Sequence, residues 1–507
     1  MKRSLINKTG IAIMLLSVVL SFSCTKLDEE LFGRVTPENY FKTNAEVLAA
    51  LAGVYNNMGF AVNGGNLWRL LHLGTDEFIM VARSDGRWLD GSVYIEIFEH
   101  KTTPINNRLG SYSDVFRTIG SANAVLEGMQ SSPNAANLKA QIAEARGIRA
   151  YAYFYAMDLW GNVPIVTTAR IEPTNLPETK TRKEVFDFVV SELTAAATDL
   201  PSVKTVTAAY YPRMTKEAAY AILALTYLNG EVFAGKSYWP ECIDMCDKVT
   251  AGGYILLPNY IDNFKVANEG SKEFIYAISI DPTKIAGSNN FAQRTLHDSH
   301  AKTYNLPFIP QNGFNIVEDA YNRFEAQDIR RSLILAGPQF AADGVTPLKN
   351  IAGTANLVLV PIANPKNAAE NEGYRLMKWQ ADNTWVNGGA GNDVATIRYS
   401  EILLTKAEAL LRSGGNASTA LGLVNQVRTR SNATPLNSVT LSDILNERGR
   451  ELMWEGTRRR DMIRFGTYFT YTPFWKPGIT PAFRGLYPIP AAELGANPKL
   501  KQNPGYN

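Results

Sequence analysis

Apolar residues recur at steps of three and four through "LKAQIAEARGIRAYAYFYAMDLWGNVP", where Leu138, Ile142, Ala145, Ile148, Ala152, Tyr155 and Leu159 fall on one face. That spacing predicts a long amphipathic helix, closed by Gly161 and Pro164. "TRKEVFDFVVSEL" opens with Thr181 and Glu184 three residues apart, and Thr440 and Asp443 stand in the same relation before "ILNERGRELMWEGTRRRDMIRFG". A hydroxyl and a carboxylate at that spacing satisfy each other's backbone N–H groups and so mark helix starts. In "TKEAAYAILALTYLNGE" and "IRYSEILLTKAEALLRSGG" alanines alternate with large apolar residues and a glycine follows. This pattern suits two helices packed closely in a hairpin, with the glycine ending the helix.

The alanine-rich helices resemble those of tetratricopeptide repeats, yet they do not recur at the roughly 34-residue period of a regular array. Between about Gly252 and Asp393 the helical period fades, and Asn, Gly, Pro and aromatic residues take over, as in "GSNNFAQRTLHDSHAKTYNLPFIPQNGF" and "WQADNTWVNGGAGND". "EFIYAISI" reads as one short strand there. The expected fold class is therefore mostly α: a tetratricopeptide-like helix-pair scaffold carrying a large loop-rich insertion with short strands. Loops on a rigid scaffold are where binding residues tend to sit.

The N-terminus has a different grammar. Lys2, Arg3 and Lys8 precede an apolar run from Ile11 to Leu20, and small Ser21 and Ser23 bracket Phe22 just before Cys24. A run this short falls well under the roughly 20 residues a membrane-spanning helix needs, so it reads as a secretory signal. Cleavage that leaves Cys24 first is the pattern of bacterial lipoproteins, in which acyl chains on that cysteine hold the protein to a membrane.

Charge excludes one class of partner. Three of the 51 Lys and Arg residues lie in the leader, leaving 48 to balance the 48 Asp and Glu. A nucleic-acid binder carries a basic excess, and this chain past its leader has none. Besides Cys24 only Cys242 and Cys246 remain, so no disulfide framework supports the fold. That pair, at i and i+4, reads either as metal ligands or as two half-buried small apolar residues on a helix face.

Chemistry-bearing motifs are sparse. No phosphate-cradling glycine loop, zinc-protease helix or nucleophile elbow occurs. His297 and His300 stand at i and i+3 without a third ligand in view, and Asp76 and Glu77 are adjacent, a poor arrangement for the two carboxylates of a glycosidase. The loop "RSDGRWLDGSVY" is more unusual, because Trp88 has only Leu89 as an apolar chain neighbour. An indole flanked by Arg83, Asp85 and Asp90 suits a sugar, the ring covering its C–H face while the charged groups take hydroxyls. The alternative is a tryptophan that pins the loop to the body. Tyr304, Trp379 and Trp385 in the insertion carry the same two readings.

Four segments together resemble one family. "AEARGIRAYAYFYAMDLWGNVPIV", "IRYSEILLTKAEALLR", "NERGRELMWEGTRRRDMIRFG" and "LYPIPAAELGANPKLKQNPGYN" resemble, in order, the conserved helices and C-terminal motif of the SusD/RagB nutrient-binding outer-membrane lipoproteins, and "ENYFKTNAEVLAALAGVYNNM" resembles their first helix. The Trp88 loop resembles an Asp-x-Trp-x-Asp-Gly-Gly-like loop of that family, with Ser92 in place of the second glycine.

The resemblance implies a division into a signal peptide (1–23), a lipidated tether (24–40), a helical N-terminal part (41–252), a ligand-binding insertion (253–395) and a helical C-terminal part (396–507). It implies lipidation at Cys24, with the acidic "TKLDEE" directing the protein to the cell surface on the outer membrane. It also implies capture of an oligosaccharide, a SusC-like TonB-dependent transporter as partner, and neither catalytic residue nor cofactor. Peptide capture, as in RagB-type members, and a glycoside hydrolase on an α-helical fold are the alternatives. Arg398, Tyr399, Glu401, Glu447, Arg448, Glu451, Glu455, Arg458 and Asp461, shared with the family motifs, are expected to form a buried polar network of the scaffold.

Overall fold

The computed structural model of the chain describes residues 41–61, 65–284 and 289–506. The leader, Cys24 and the tether up to residue 40 lie outside the described residues. Among the described residues nine long helices carry the scaffold. The first, α1 (Asn44–Asn57), starts at a Thr43/Glu46 capping box. It is followed by α2 (Ser111–Ser131), α3 (Lys139–Leu159) and α4 (Arg182–Asp199), the last opened by the expected Thr181/Glu184 box. Next come α5 (Lys216–Leu228) and α6 (Trp239–Thr250), then after the insertion α7 (Tyr399–Arg412), α8 (Ala417–Arg430) and α9 (Leu441–Glu451), whose Thr440/Asp443 box is also formed. Each packs on the next along the chain from α1 to α8, α9 closing on α7 and α8, so the helices form a continuous row of hairpins. The row does not break at the insertion, because α6 lies directly against α7.

Three local expectations need correcting. Helix α3 is not amphipathic along its length: from Ala143 to Leu159 every residue but Arg146 is buried, because α2 and α4 flank it on two sides and α1 adds a third contact. Gly147 lets the segment before α5 come close, since a Cβ there would stand 2.3 Å from Met214 Sδ. Helix α5 ends on Asn229, and Gly230 opens a further short helix, Gly230–Ala234, that Gly235 stops at φ +72°. Cys242 and Cys246 are wholly rather than half buried on α6.

The insertion is closed at its neck by β2 (Phe274–Ile278), the predicted strand, paired antiparallel with β8 (Val394–Arg398), which runs straight into α7. Inside it lie β3 (Phe314–Ile316), β4 (Ile334–Leu335), β5 (Gly337–Pro338), β6 (Val358–Leu359) and β7 (Arg375–Leu376). Strand β4 pairs with β7 and β5 with β6. The remaining partner comes from elsewhere. Strand β1 (Phe78–Met80) pairs with β3, so residues 66–100 leave the helical row and join the insertion, and the N-terminal part is not helical scaffold throughout.

Aromatic side chains from three distant stretches build the shared core. Trp68 and Phe291 approach to 4.7 Å between ring centroids, Phe291 and Trp379 to 4.6 Å, and Phe78 stacks on Trp454 at 5.2 Å. Apolar burial of this kind stabilises at about 25 cal/mol per Å², and each large ring removes some 150–250 Å² from water.

The expected buried polar network is present and larger than the motifs alone show. Arg398 donates to Glu273 (2.6 Å), Glu451 (3.0 Å) and Glu455 (2.7 Å), and Arg330, from the insertion, reaches Glu447 (2.8 Å) and Glu451 (2.9 Å). Arg448 bonds Asp461 at 2.7 Å and lies 3.4 Å from Glu401; Arg458 holds Asp76 at 2.5 Å. Burial alone would raise the carboxyl of Glu451, but Arg430, Arg398 and Arg330 outweigh it and hold it well below the ordinary range. Tyr399 is the exception. Its backbone joins the network through an N–H to Glu273 O, while its half-buried ring stacks loosely on Tyr254 outside it.

Candidate ligand-binding site

The loop around Trp88 is a tight turn docked on the insertion. Its backbone closes through Arg83 N–H to Arg87 O (2.8 Å) and Gly86 N–H to Arg83 O (2.9 Å). The Arg83 guanidinium points inward and uses its donors on protein oxygens: Asn312 O (3.2 Å) and Oδ1 (3.0 Å), Asn315 Oδ1 (2.7 Å), Ala369 O (2.6 Å) and Glu372 O (3.0 Å). At 3% exposure it has nothing left to offer a ligand. Arg83 is therefore a peg between loop and insertion, which corrects its expected role as a hydroxyl contact.

Trp88 itself serves both readings. Its Nε1 donates to Gln311 O at 2.7 Å, and its ring lies so close over Gly313 that a Cβ there would meet it at 2.7 Å. The ring also meets Tyr94 edge-on at 6.1 Å, yet the residue stays half exposed. It is pinned through Gln311 and Gly313, with the Arg294 guanidinium 5.9 Å from its ring, and only part of it is exposed. Asp85 accepts from Arg87 N–H (3.0 Å) and Nε (2.9 Å), and Arg87 Nη1 continues to Asp298 Oδ1 (2.8 Å). Asp90 is exposed, with Arg108 3.5 Å away and the Tyr94 hydroxyl as a further partner, and part of its acceptor capacity faces outward.

One segment, residues 297–313, brings the other candidates to this loop. Tyr304 ends the short helix Ala301–Tyr304, half exposed, its hydroxyl pushed up to about 12 by burial. Phe308 packs on Trp385 with centroids 4.1 Å apart, and Trp385 is half exposed at the head of the turn Val386–Gly388. Asp382 holds that turn through Thr384 N–H (2.8 Å) and Gly391 N–H (3.0 Å). Trp379 does not belong to this surface. It is 3% exposed, enclosed by Trp68, Phe264, Phe291 and Trp454, and its faces are unavailable to any ligand.

Sequence reasoning passed over Phe308, Arg87 and Gln311. Phe308 is flanked by Pro307 and Pro310, a rigid extended setting that presents an aromatic ring and could have singled it out. Exposed apolar side chains adjoin each ring in the chain: Leu89 beside Trp88, Ile309 beside Phe308, Val386 beside Trp385. Backbone strain concentrates here as well. Among the described residues ten non-glycines have positive φ, and six of them, Trp88, Asp90, Ser92, Asn305, Asn312 and Trp385, lie on or under this surface. Such conformations cost about 1–3 kcal/mol each and persist where the surroundings over-determine them.

The remaining polar candidates are structural. Asp76 is gripped by Arg458 and Arg323, and Glu77 is buried with both arginines 3.8–3.9 Å away. His297 and His300 cap the turn Asp298–His300 and are buried, His300 Nε2 lying 3.0 Å from Gln339 Oε1. Among the described residues no group of three or more His, Cys, Asp or Glu side chains could hold a metal ion, and no helix is long and apolar enough to cross a membrane.

Comparison with known proteins gives this architecture relatives. The model of the SusD family matches residues 222–506, and one described as "Starch-binding associating with outer membrane" matches residues 34–228. The chain is 26% identical over 433 residues to the starch-binding protein SusD of Bacteroides thetaiotaomicron, covering 76% of each chain. It is 25% identical over 496 residues to a SusD-like protein of Bacteroides ovatus, covering 92% of this chain and 83% of that one. Among solved structures, a laminarin-binding SusD-like protein superposes with a TM-score of 0.77 at 23% identity, over 92% of this chain and 100% of the other. The surface glycan-binding protein A of Bacteroides thetaiotaomicron, in complex with laminarihexaose, does so with a TM-score of 0.73 at 20% identity, over 91% and 99%. At these identities the solved structures establish a shared fold.

Proposed function

Since the chain belongs to the SusD family, we propose that it captures an oligosaccharide at the cell surface and passes it to a SusC-like TonB-dependent transporter in the outer membrane. The carrying observation is Trp88, half exposed beside the outward-facing carboxylate of Asp90 and pinned so that its orientation is set before any ligand arrives. An aromatic plane matches the C–H face of a pyranose, and neighbouring acceptors take its hydroxyls. Trp385 with Phe308, and Tyr304, extend the aromatic character along the same segment. Relatives named for binding starch and laminarin support a carbohydrate, and a binding role without cleavage.

The leader would be removed and Cys24 acylated, tethering the molecule to the outer membrane. Weak capture suffices for such an arrangement, because a ligand held beside a second site is presented at an effective concentration on the order of mM. The test is affinity electrophoresis in gels containing laminarin, starch, xylan or galactomannan. At least one polymer should retard the wild-type protein, and Trp88→Ala should restore free mobility in it. Retardation unchanged in both Trp88→Ala and Trp385→Ala would move the site off this surface, and release of reducing ends would overturn the binding-only reading.

A further inference from the structure

Three arginines gather beside Trp88 with little to neutralise them. Arg69, on the short helix Asn66–His72, and Arg108, on the turn Asn107–Gly110, both donate to Asn66 Oδ1, at 3.1 and 3.5 Å. Their guanidinium groups lie 5.6 and 4.9 Å from the centroid of the Tyr94 ring. Arg294, on the short helix Phe291–Thr295, stands 5.9 Å from the Trp88 ring, and Trp88 meets Tyr94 edge-on. Two rings in contact thus link the three cations. Arg69 lies deepest, at 6% exposure, whereas Arg108 and Arg294 are half-buried and reach the surface.

Their acceptors do not match their charge. Arg398 and Arg330 are each met by three carboxylates, and Arg83 spends its donors on five protein oxygens. Arg69 has one neutral amide oxygen, and Arg294 has Gln311 Oε1 at 2.8 Å; neither forms an ion pair among the described residues. Only Arg108 approaches a carboxylate, Asp90 at 3.5 Å, and Asp90 also takes the Tyr94 hydroxyl. The other acids of this loop, Asp85 and its neighbour Asp298, are shared by Arg87. Burial, reinforced by the like charges of Arg294 and Arg108 against the pull of Tyr94 and Asp90, pushes the Arg69 guanidinium down to about 10, so it still carries its charge at neutral pH. A buried cation short of a counter-charge is costly, and an anion brought to this surface removes part of that cost.

We infer that the glycan taken here is acidic: a pyranose against Trp88 brings a carboxylate or a sulfate ester into the field of Arg294, Arg108 and Arg69. The planar guanidinium fork matches the paired oxygens of either group, while Asp90 remains an acceptor for hydroxyls. This rests on the glycan-binding reading above and names its substrate class. A neutral polymer engages the ring alone and binds more weakly.

The experiment measures, by biolayer interferometry on the full mature protein, the affinity for matched pairs of polymers. These are polygalacturonate and its methyl ester, glucuronoxylan and arabinoxylan, and a sulfated galactan and its desulfated form. At low salt at least one acidic member should bind roughly tenfold or more tightly than its neutral counterpart, the worth of a charge-assisted hydrogen bond. That advantage should shrink as salt rises, and the pair that shows it separates carboxylate from sulfate. Arg294→Gln and Arg108→Gln should each remove most of the advantage, and Trp88→Ala should weaken both members. Arg69→Met keeps the aliphatic stem and removes a charge that little balances, so it should reduce the advantage with the melting temperature equal or higher. Lys236→Gln, on the helical scaffold, controls for net charge. Equal binding of acidic and neutral members, an advantage that survives Arg294→Gln and Arg108→Gln together, an equal loss in Lys236→Gln, or a preference for polyglutamate over every acidic glycan would each overturn the inference. A lowered melting temperature in Arg69→Met would show its charge already balanced and remove the ground of the inference. Binding of neutral members alone would leave the glycan reading standing without this one, whereas binding of no polymer would sink both.

Discussion

Replacing Trp88 separates its two roles because they fail by different amounts. Most of an aromatic's 150–250 Å² is covered here, so truncation to alanine loses burial of on the order of 100 Å², or about 2.5 kcal/mol at 25 cal/mol per Å². The indole bond to Gln311 O adds less than its nominal 1 kcal/mol, since the freed carbonyl meets water. The loss falls mainly on docking of the loop, so local opening is the correct readout. Amide exchange at Arg83, Gly86 and Ser92, whose N–H groups bond within the turn, should accelerate roughly 30- to 150-fold for 2–3 kcal/mol.

Glycine and phenylalanine refine the test. At φ +62° alanine keeps the left-handed penalty of about 1–2 kcal/mol, whereas glycine escapes it and loses about 0.5–1 kcal/mol through its freer unfolded chain. Trp88→Gly should therefore be no less stable than Trp88→Ala, although it removes more atoms. Trp88→Phe retains a ring face and should keep measurable polysaccharide binding while its loop amides exchange faster. Exchange unchanged in Trp88→Ala would show that the ring does not hold the loop, and binding unchanged would remove it from the ligand surface.

Three further outcomes follow from the rest of the molecule. Arg398→Met takes from Glu273, Glu451 and Glu455 the cation they share, leaving Arg430, Arg330 and Lys378 to hold three buried carboxylates, and should cost about 3–5 kcal/mol; an unshifted melting temperature would contradict the network's assigned role. Burial raises the Glu77 carboxyl to about 8 against the opposing pull of Arg458 and Arg323, so it stabilises the fold below its unfolded value of 4.5 and loses that contribution as pH rises through 8. The melting-temperature advantage of Glu77→Gln should accordingly grow between pH 5 and pH 8, and a pH-independent difference would refute the shift; Asp76, held low by Arg323 and Arg458, changes charge only below this window. Cys24→Ala should move the protein from the outer-membrane fraction to the soluble one, and a variant that still pellets without its transporter would end the anchor reading.

Sequence pattern exposed the helices because their signal is local: α3, α4, α7 and α9 each carry a 3.6 period or a capping pair within their own residues. Strand β1 offers three residues, buried on both faces, and gains its identity only by pairing with β3 more than two hundred positions away. Trp379 and Trp385 make the same point at the candidate site. Both stand among polar neighbours in "WQADNTW", but β7 carries the first into the aromatic core, and the turn held by Asp382 keeps the second at the surface. Arg83 reads as an exposed loop charge until the carbonyls of Ala369 and Glu372, contributed by a turn of the insertion, converge on it. In each case the deciding partner is remote in sequence, and no periodicity encodes it.

Left-handed backbone alone does not mark the site, because Trp454 shares the φ of Trp88 yet lies in the core against Phe78. What distinguishes Trp88 and Trp385 is that the same backbone turn leaves them half exposed on segments tied to residues 297–313. That segment belongs to the insertion, which connects to the helical row through the β2–β8 neck. Arg398 ends β8 and grips Glu273, the residue before β2, together with Glu451 at the end of α9. One buried cation thus closes the neck and sets the insertion's position on the scaffold. The family motif around Arg398 acts through geometry: its buried charges hold the insertion and its aromatic surface in place on the scaffold.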